Sequence, residues 1–145
     1  MGKDLHTLIR LRKFEVDERR RDLGVLLQRQ AALEAEGRAL DAEFAREVSF
    51  AQQNPAFGLT LGAYVSHFRW RKDDLLEREH QLDEDILEAR EALAEAYRTL
   101  KTIEVTQENR ENRERQEREH KDQLFLDEVA QDRYRRRSHE GDPLA

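Results

Sequence analysis

Apolar residues recur along this chain at alternating intervals of four and three, and they do so over two separate stretches. From Leu5 to Ala51 one register holds Ile9, Val16, Leu23, Gln30, Gly37 and Phe44, and the other holds Leu5, Arg12, Arg19, Leu26, Leu33 and Leu40. From Leu61 onward the registers are Val65, Lys72, Glu79, Ile86, Leu93 and Leu100, with Leu61, Phe68, Leu75, Leu82, Ala89, Ala96 and Ile103. Such a stripe covers one narrow face of an α-helix and is the seam of a coiled coil. The polar members make the first seam imperfect. Gly37 inside a helix costs about 1 kcal/mol against Ala. It is either a tolerated defect or room for the close approach of a partner.

Between the seams lies "QQNPAFGLTLG", residues 52–62. Pro55 disfavours helix at Asn54, Gly58 and Gly62 add breakers, and Thr60 is a candidate N-cap. The pattern predicts a first helix over about 5–53, a turn at 54–59, a second helix over about 60–137 and a frayed tail at 138–145, all within one coiled-coil domain spanning 1–145. Helices joined by so short a turn pack antiparallel. Placing residue 53 opposite residue 60 makes residue i face residue 113 minus i, so Ile9 faces Glu104 and Phe44 meets Phe68. The second seam then stops, at Ile103, where the first helix runs out. The expected fold is all-α: a two-helix antiparallel coiled-coil hairpin with an overhanging C-terminal helix. Its first arm is ~75 Å long and its second ~115 Å at 1.5 Å per residue.

The overhang carries a second pattern. Eighteen residues from Thr106 to Gln123 contain no aliphatic or aromatic side chain, and then Leu124, Phe125, Leu126, Val129 and Ala130 form an apolar island backed by Arg135, Arg136 and Arg137. The pairs Glu111–Arg115, Glu114–Arg118 and Glu117–Lys121 have the favourable i,i+4 order, each contributing about 0.2–0.5 kcal/mol to a lone helix. The island, edged by Asp127, Glu128 and the arginines, has the form of a surface that docks in a partner's groove. Nonspecific dimerisation of an amphipathic helix end is the plainer reading. Nearer the turn, Phe44 and Phe68 belong to the seam. Phe50, Phe57, Tyr64 and Trp70 cannot all fit it, and exposed aromatics mark contact surfaces.

Composition narrows the class. Of 145 residues 40% are charged and 37% apolar. That is too little apolar material for a large core, and the patterning is too regular for a disordered chain. The net charge of −6, with both signs interleaved, argues against nucleic acid as the main partner and points to solvated helix faces. There is no cysteine, which excludes thiolate chemistry and fits a reducing cytoplasm. No apolar run is long enough to span a membrane, and neither a secretory signal nor a myristoylation motif is expected at the N-terminus.

Candidate chemistry is sparse. "EREH" occurs at 77–80 and again at 117–120. Glu-x-x-His is a ligand pair of di-iron bundles, but such sites need four helices, and chance copies are expected in a chain this rich in Glu and Arg. Ser49, Ser66 and Ser138 lie in no nucleophile-elbow context, no glycine-rich phosphate loop is present, and a two-helix hairpin offers no enclosed pocket. The reading is a non-enzyme without cofactor or metal. "RYRRR" at 133–137 suits an acidic protein surface, with help from the negative end of a helix.

A short hairpin coiled coil, a glycine-containing turn followed by "LGAYVSHF", and a helix ending in "LDEVAQDRYRRR" together resemble the FliJ family of flagellar export proteins over about residues 5–137. The resemblance implies a component shaped like the central stalk of a rotary ATPase. It would enter the hexameric ring of the flagellar export ATPase, contact the cytoplasmic part of the export-gate membrane protein and handle export chaperones. It would lie in the cytoplasm, peripherally at the inner face of the membrane at the flagellar base, without inserting into it. Carried onto this chain, the ATPase contacts fall on Leu124, Phe125, Asp127, Glu128, Ala130, Arg133, Arg135 and Arg136, and the gate contacts on Phe50, Tyr64 and Trp70. Two alternatives remain at this point: the equivalent stalk of a virulence-type secretion system, and a structural linker that homo-oligomerises through its seam.

Overall fold

The computed structural model describes residues 2–141, with side chains from Leu5 onward. The last four residues, part of the expected frayed tail, lie outside the described residues. Between Gly2 and Glu140 every residue except Asn54 is helical. Helix α1 spans Gly2–Gln53, a 3₁₀ turn spans Pro55–Phe57, and helix α2 spans Gly58–Glu140. The two long helices pack against each other, which makes the fold all-α. By compactness the chain divides into one unit of Leu11–Thr99 and another of Met1–Arg10 with Leu100–Ala145.

The first unit is an antiparallel hairpin. Its turn follows from Pro55, whose ring forces Asn54 out of the helical region to φ −129°, ψ 85°. The Asn54 backbone N–H and its Nδ2 both donate to the Phe50 carbonyl at 3.1 Å. The second helix begins two residues earlier than the sequence suggests. Pro55 has the φ of a first helical residue, so the 3₁₀ turn runs straight into α2 through Gly58, at φ −63°, ψ −24°. Thr60 is therefore inside the helix and caps nothing; its hydroxyl donates to the Phe57 carbonyl at 2.8 Å. No described glycine takes a positive φ, so Gly58 and Gly62 do not act as breakers.

The pairing register follows the 113-minus-i rule. Gln30 reaches Asp83 at 3.4 Å and Lys72 reaches Asp41 at 2.6 Å. One residue off the rule, Arg78 meets Glu36 at 2.9 Å and Arg71 meets Glu43 at 3.4 Å. The Phe44 and Phe68 rings stack with centroids 4.0 Å apart. These pairs also define two sides of the hairpin. Arg71–Glu43 and Arg78–Glu36 bridge the helices along one side, and Lys72–Asp41 and Gln30–Asp83 along the other.

The core is thin. Val16, Leu40, Leu75, Leu82 and Ile86 are buried in this unit, while Leu23, Leu26, Leu33, Phe44, Phe68 and Leu93 are only half-buried. Each half-buried residue gains less than the roughly 1.5–3 kcal/mol of a fully buried side chain. The polar seam positions are reconciled locally. Arg12 pairs with Glu15 at 2.9 Å and Arg19 with Asp22 at 3.5 Å, and the Lys72 ammonium lies 5.9 Å from the Phe68 ring centroid. Gly37 is not a point of close approach within the chain, because a Cβ built there would meet nothing within 4 Å.

In the second unit Leu100 is buried and Leu5, Ile9 and Ile103 are half-buried. The seam does not end at Ile103. It continues one heptad step to Gln107, which is 5% exposed and the one buried polar residue among the described side chains. Its Nε2 lies 2.8 Å from Glu111 and 3.3 Å from His6. From Glu108 to Glu140 α2 is exposed throughout except for half-buried Val129. The expected i,i+4 pairs from Glu111, Glu114 and Glu117 are not within ion-pair distance. Glu111 turns back to Gln107 and lies 3.5 Å from His6, and Arg136–Asp132 at 3.3 Å closes an i,i+4 pair further on. The helix runs three residues past Arg137, and the Gly141 N–H then donates to the Arg137 carbonyl at 2.9 Å.

Candidate protein-binding surfaces

Helical geometry decides what the apolar island can contact. Leu124, Phe125 and Leu126 are consecutive, so at 100° per residue they fan over about 200° of the helix circumference. They are 51%, 64% and 59% exposed. Val129 stands one turn beyond Phe125, on the same face, and Ala130 one turn beyond Leu126. This is a collar rather than a stripe. Its polar edge is partly tied up: Gln123 donates to Asp127 at 3.1 Å and Asp132 holds Arg136. Glu128, Val129, Gln131, Asp132 and Arg135 line a shallow groove on the helix surface. Arg133 and Tyr134 are fully accessible, Tyr134 at 74%. The arginines sit within the last two turns, where the negative helix end favours cations.

The aromatic residues near the turn separate into two groups. Phe50 and Phe57 tilt against each other at 5.2 Å between centroids. They line a groove with Glu47, Thr60, Leu61 and Tyr64. Tyr64 stacks on Phe44 at 6.2 Å, and its hydroxyl is buried beside the Glu43 carboxylate. Desolvation raises the phenol pKa above its ordinary value, and the nearby carboxylates of Glu43 and Glu47 push the same way. Trp70 does not line this groove. It is 64% exposed, with its ring stacked 6.1 Å from His67.

At this end Leu59 has no place among the contact residues expected from sequence, and Phe57 appears there only as one of four aromatics too many for the seam. Leu59 is 93% exposed and Phe57 is 52% exposed. Both fall in the segment read as turn, where periodicity assigns no face; an apolar pair flanking Gly58 was the available signal.

Among the described residues no group of His, Asp and Glu side chains could hold a metal ion. His80 of the first "EREH" lies 3.4 Å from Glu84, one turn further on, rather than with Glu77. No helix among the described residues is long and apolar enough to cross a membrane.

Comparison with known proteins points the same way as the quoted motifs. The family described as Flagellar FliJ protein matches residues 1–139. Two curated proteins named Flagellar FliJ protein, from Caulobacter vibrioides strains NA1000 and ATCC 19089, are each 32% identical over 101 residues, covering 70% of this chain and 73% of the relative. No solved structure matches the chain.

Proposed function

The chain belongs to the FliJ family of flagellar protein export components, and from that premise we propose that it is the non-enzymatic stalk of the flagellar export ATPase. In this reading the C-terminal part of α2, with the N-terminal end of α1, enters the hexameric ATPase ring. The aromatic end near Pro55 contacts the cytoplasmic part of the export-gate membrane protein, and the protein escorts export chaperones between them. It works in the cytoplasm, peripherally at the inner face of the membrane.

The observation that carries this reading is the collar at Leu124, Phe125 and Leu126. A stripe suits a groove on one side, but an apolar fan of about 200° is covered only by a partner that surrounds the helix. A ring does that. Asp127, Glu128, Arg133, Arg135 and Arg136 would then meet charges on the ring's inner wall and set orientation more than affinity. At the other end, Phe50 and Tyr64 present an aromatic groove. A gate segment with an apolar side chain would fill it, and Trp70 would add a second point of contact.

Deletion of residues 124–137 tests the proposal. Binding to the purified ATPase ring should be lost, while the helical content and melting of the remainder stay unchanged and binding to the gate's cytoplasmic domain persists. Leu124→Ala with Phe125→Ala removes two anchors that contribute about 1.5–3 kcal/mol each when fully buried, which corresponds to at least ~100-fold in affinity. Equal ring affinity of the truncated and complete chains would defeat the assignment. For the gate, Phe50→Ala should weaken binding, with ring binding unaffected.

A further inference from the structure

The hairpin unit carries a second, unpartnered seam. About 100° round each helix from the buried one, α2 presents Leu76, Leu87 and Tyr97 at 60%, 59% and 52% exposure, and α1 presents Leu27 at 38%. These residues belong to one side of the hairpin. Arg20 of α1 shares a groove with Arg90, Ala94 and Tyr97 of α2, and Glu34 shares one with Asp83. The ion pairs Arg78–Glu36 and Arg71–Glu43 occupy the other side.

Along this side the steps alternate between three and four, so each line can be laid against its own reverse with an offset of no more than one residue. On α2 the line runs outward from Leu87 in steps of three and four, to Arg90, Ala94 and Tyr97 one way and to Asp83, His80 and Leu76 the other. Turned end for end about Leu87, it sets Leu76 against Tyr97, His80 against Ala94 and Asp83 against Arg90. The corresponding line on α1 is centred on Leu27. Turned about that residue it sets Gly24 against Ala31, Arg20 against Glu34 and Asp17 against Arg38. Every charged pair so formed is of opposite sign, three on each half of the axis. The two centres also coincide: by the observed register, Leu27 lies opposite residue 86, beside Leu87. One two-fold axis therefore serves both helices.

We propose that a second copy of this chain docks on this face about that axis, α1 against α1 and α2 against α2, to form an antiparallel four-helix bundle. The self-complementary interface is what closed two-fold symmetry requires. Residues 17–38 span roughly 33 Å, and two helices side by side are about 20 Å wide, so each copy covers ~650 Å² and the pair ~1,300 Å². That is the lower end of stable interfaces. Glu84 would approach Glu91 of the second copy, at the outer edge where solvent screens the repulsion. Arg20, now loosely held to Asp17 at 3.9 Å, would exchange that contact for Glu34 of the second copy. The result is a reversible dimer, and an interface this small and this rich in charge puts its midpoint at the weak end of the range for its size, on the order of tens of micromolar. The face lies within Leu11–Thr99 and uses none of the residues assigned above to the ring or the gate.

The absence of cysteine makes the test direct. Residues on the axis meet their own copies, so Leu87→Cys and Leu27→Cys should each oxidise to a disulfide-linked dimer faster than Arg29→Cys on the opposite side. Leu76→Cys and Tyr97→Cys should cross-link poorly alone and well when mixed. In sedimentation of the unlinked chain, Asp83→Arg should weaken dimerisation at least ~10-fold, and Asp83→Arg with Arg90→Asp should restore it. A chain that stays monomeric up to roughly ten times the expected midpoint overturns the proposal. So does Leu87→Cys oxidising no faster than Arg29→Cys, or a mixture of the Leu76→Cys and Tyr97→Cys chains that fails to link. A stable tetramer in place of the dimer would mean that a different face associates.

Discussion

Replacing Gly37 by alanine probes the seam where it is weakest. Gly37 occupies a seam position of α1, half-buried, and a Cβ there would meet nothing within 4 Å. Removing glycine from a helix interior gains about 1 kcal/mol from backbone entropy and helix propensity. The new methyl meets no atom within 4 Å, so its packing contributes nothing further. Gly37→Ala should therefore stabilise the chain by about 1 kcal/mol, a rise of roughly 2–4 °C in melting midpoint for a protein of this size. Thermal and urea unfolding followed by helical circular dichroism would measure it, at a few micromolar so that self-association does not contribute. Gly24→Ala, about 20 Å away along α1, should add independently. A midpoint that falls or does not move would mean that the gap beside Gly37 is filled, and hence that the helices pair in another register.

Three further outcomes follow from individual contacts. Ile9→Cys with Glu104→Cys should close an intramolecular disulfide under mild oxidation, whereas Ile9→Cys with Arg110→Cys should not; gel mobility with and without reductant reads both. Gln107→Leu should raise stability by about 1 kcal/mol, because the buried Gln107 Oε1 has no partner and leaving such an atom unmet costs ~1–3 kcal/mol, partly offset by lost bonds to Glu111 and His6; a lower urea midpoint would show those bonds to matter more. The hydrogen bond from Arg78, aided by its charge, lowers the Glu36 pKa below 4.5. A depressed carboxylate contributes stability that is complete above the unfolded value and is lost as pH falls through the folded one. Glu36→Gln should therefore flatten the acid limb of the urea midpoint below about pH 4.5 and leave the profile above pH 6 parallel to the parent's; an unchanged acid limb would contradict the pairing.

The backbone design was legible because its signals are local and repetitive. The period of the two stripes named the helices, Pro55 placed the reversal, and setting residue 53 opposite residue 60 across it yielded the register that Gln30–Asp83 and Lys72–Asp41 display. Details that depend on competition between neighbours were not legible. Thr60 has the chemistry of an N-cap, but Pro55 is already suited to start the helix, so Gly58 and Leu59 became helical and Leu59 was left in solvent. Gln107 continues the seam as a polar residue, which an apolar pattern cannot flag. Glu111 had a good i,i+4 partner in Arg115, yet the Gln107 amide and His6 lie nearer. The second seam was hidden for a related reason: its small and charged members read as solvated surface until the fold showed which of them share a side.

The uncovered apolar surface comes in shapes that different partners must match, and the shapes do not interchange. A side lined by Leu27, Leu76, Leu87 and Tyr97 is flat and long, so another pair of parallel-lying helices covers it. The groove of Phe50, Phe57 and Tyr64 is short and aromatic, so a single apolar side chain suits it. The collar of Leu124, Phe125 and Leu126 faces outward over more than half a turn, and only an enclosing wall removes it from water. Because few residues of the hairpin are fully buried, a partner that binds only the folded chain supplies a large share of the total stability by mass action. Thin packing within the chain and a large uncovered apolar surface are thus one property.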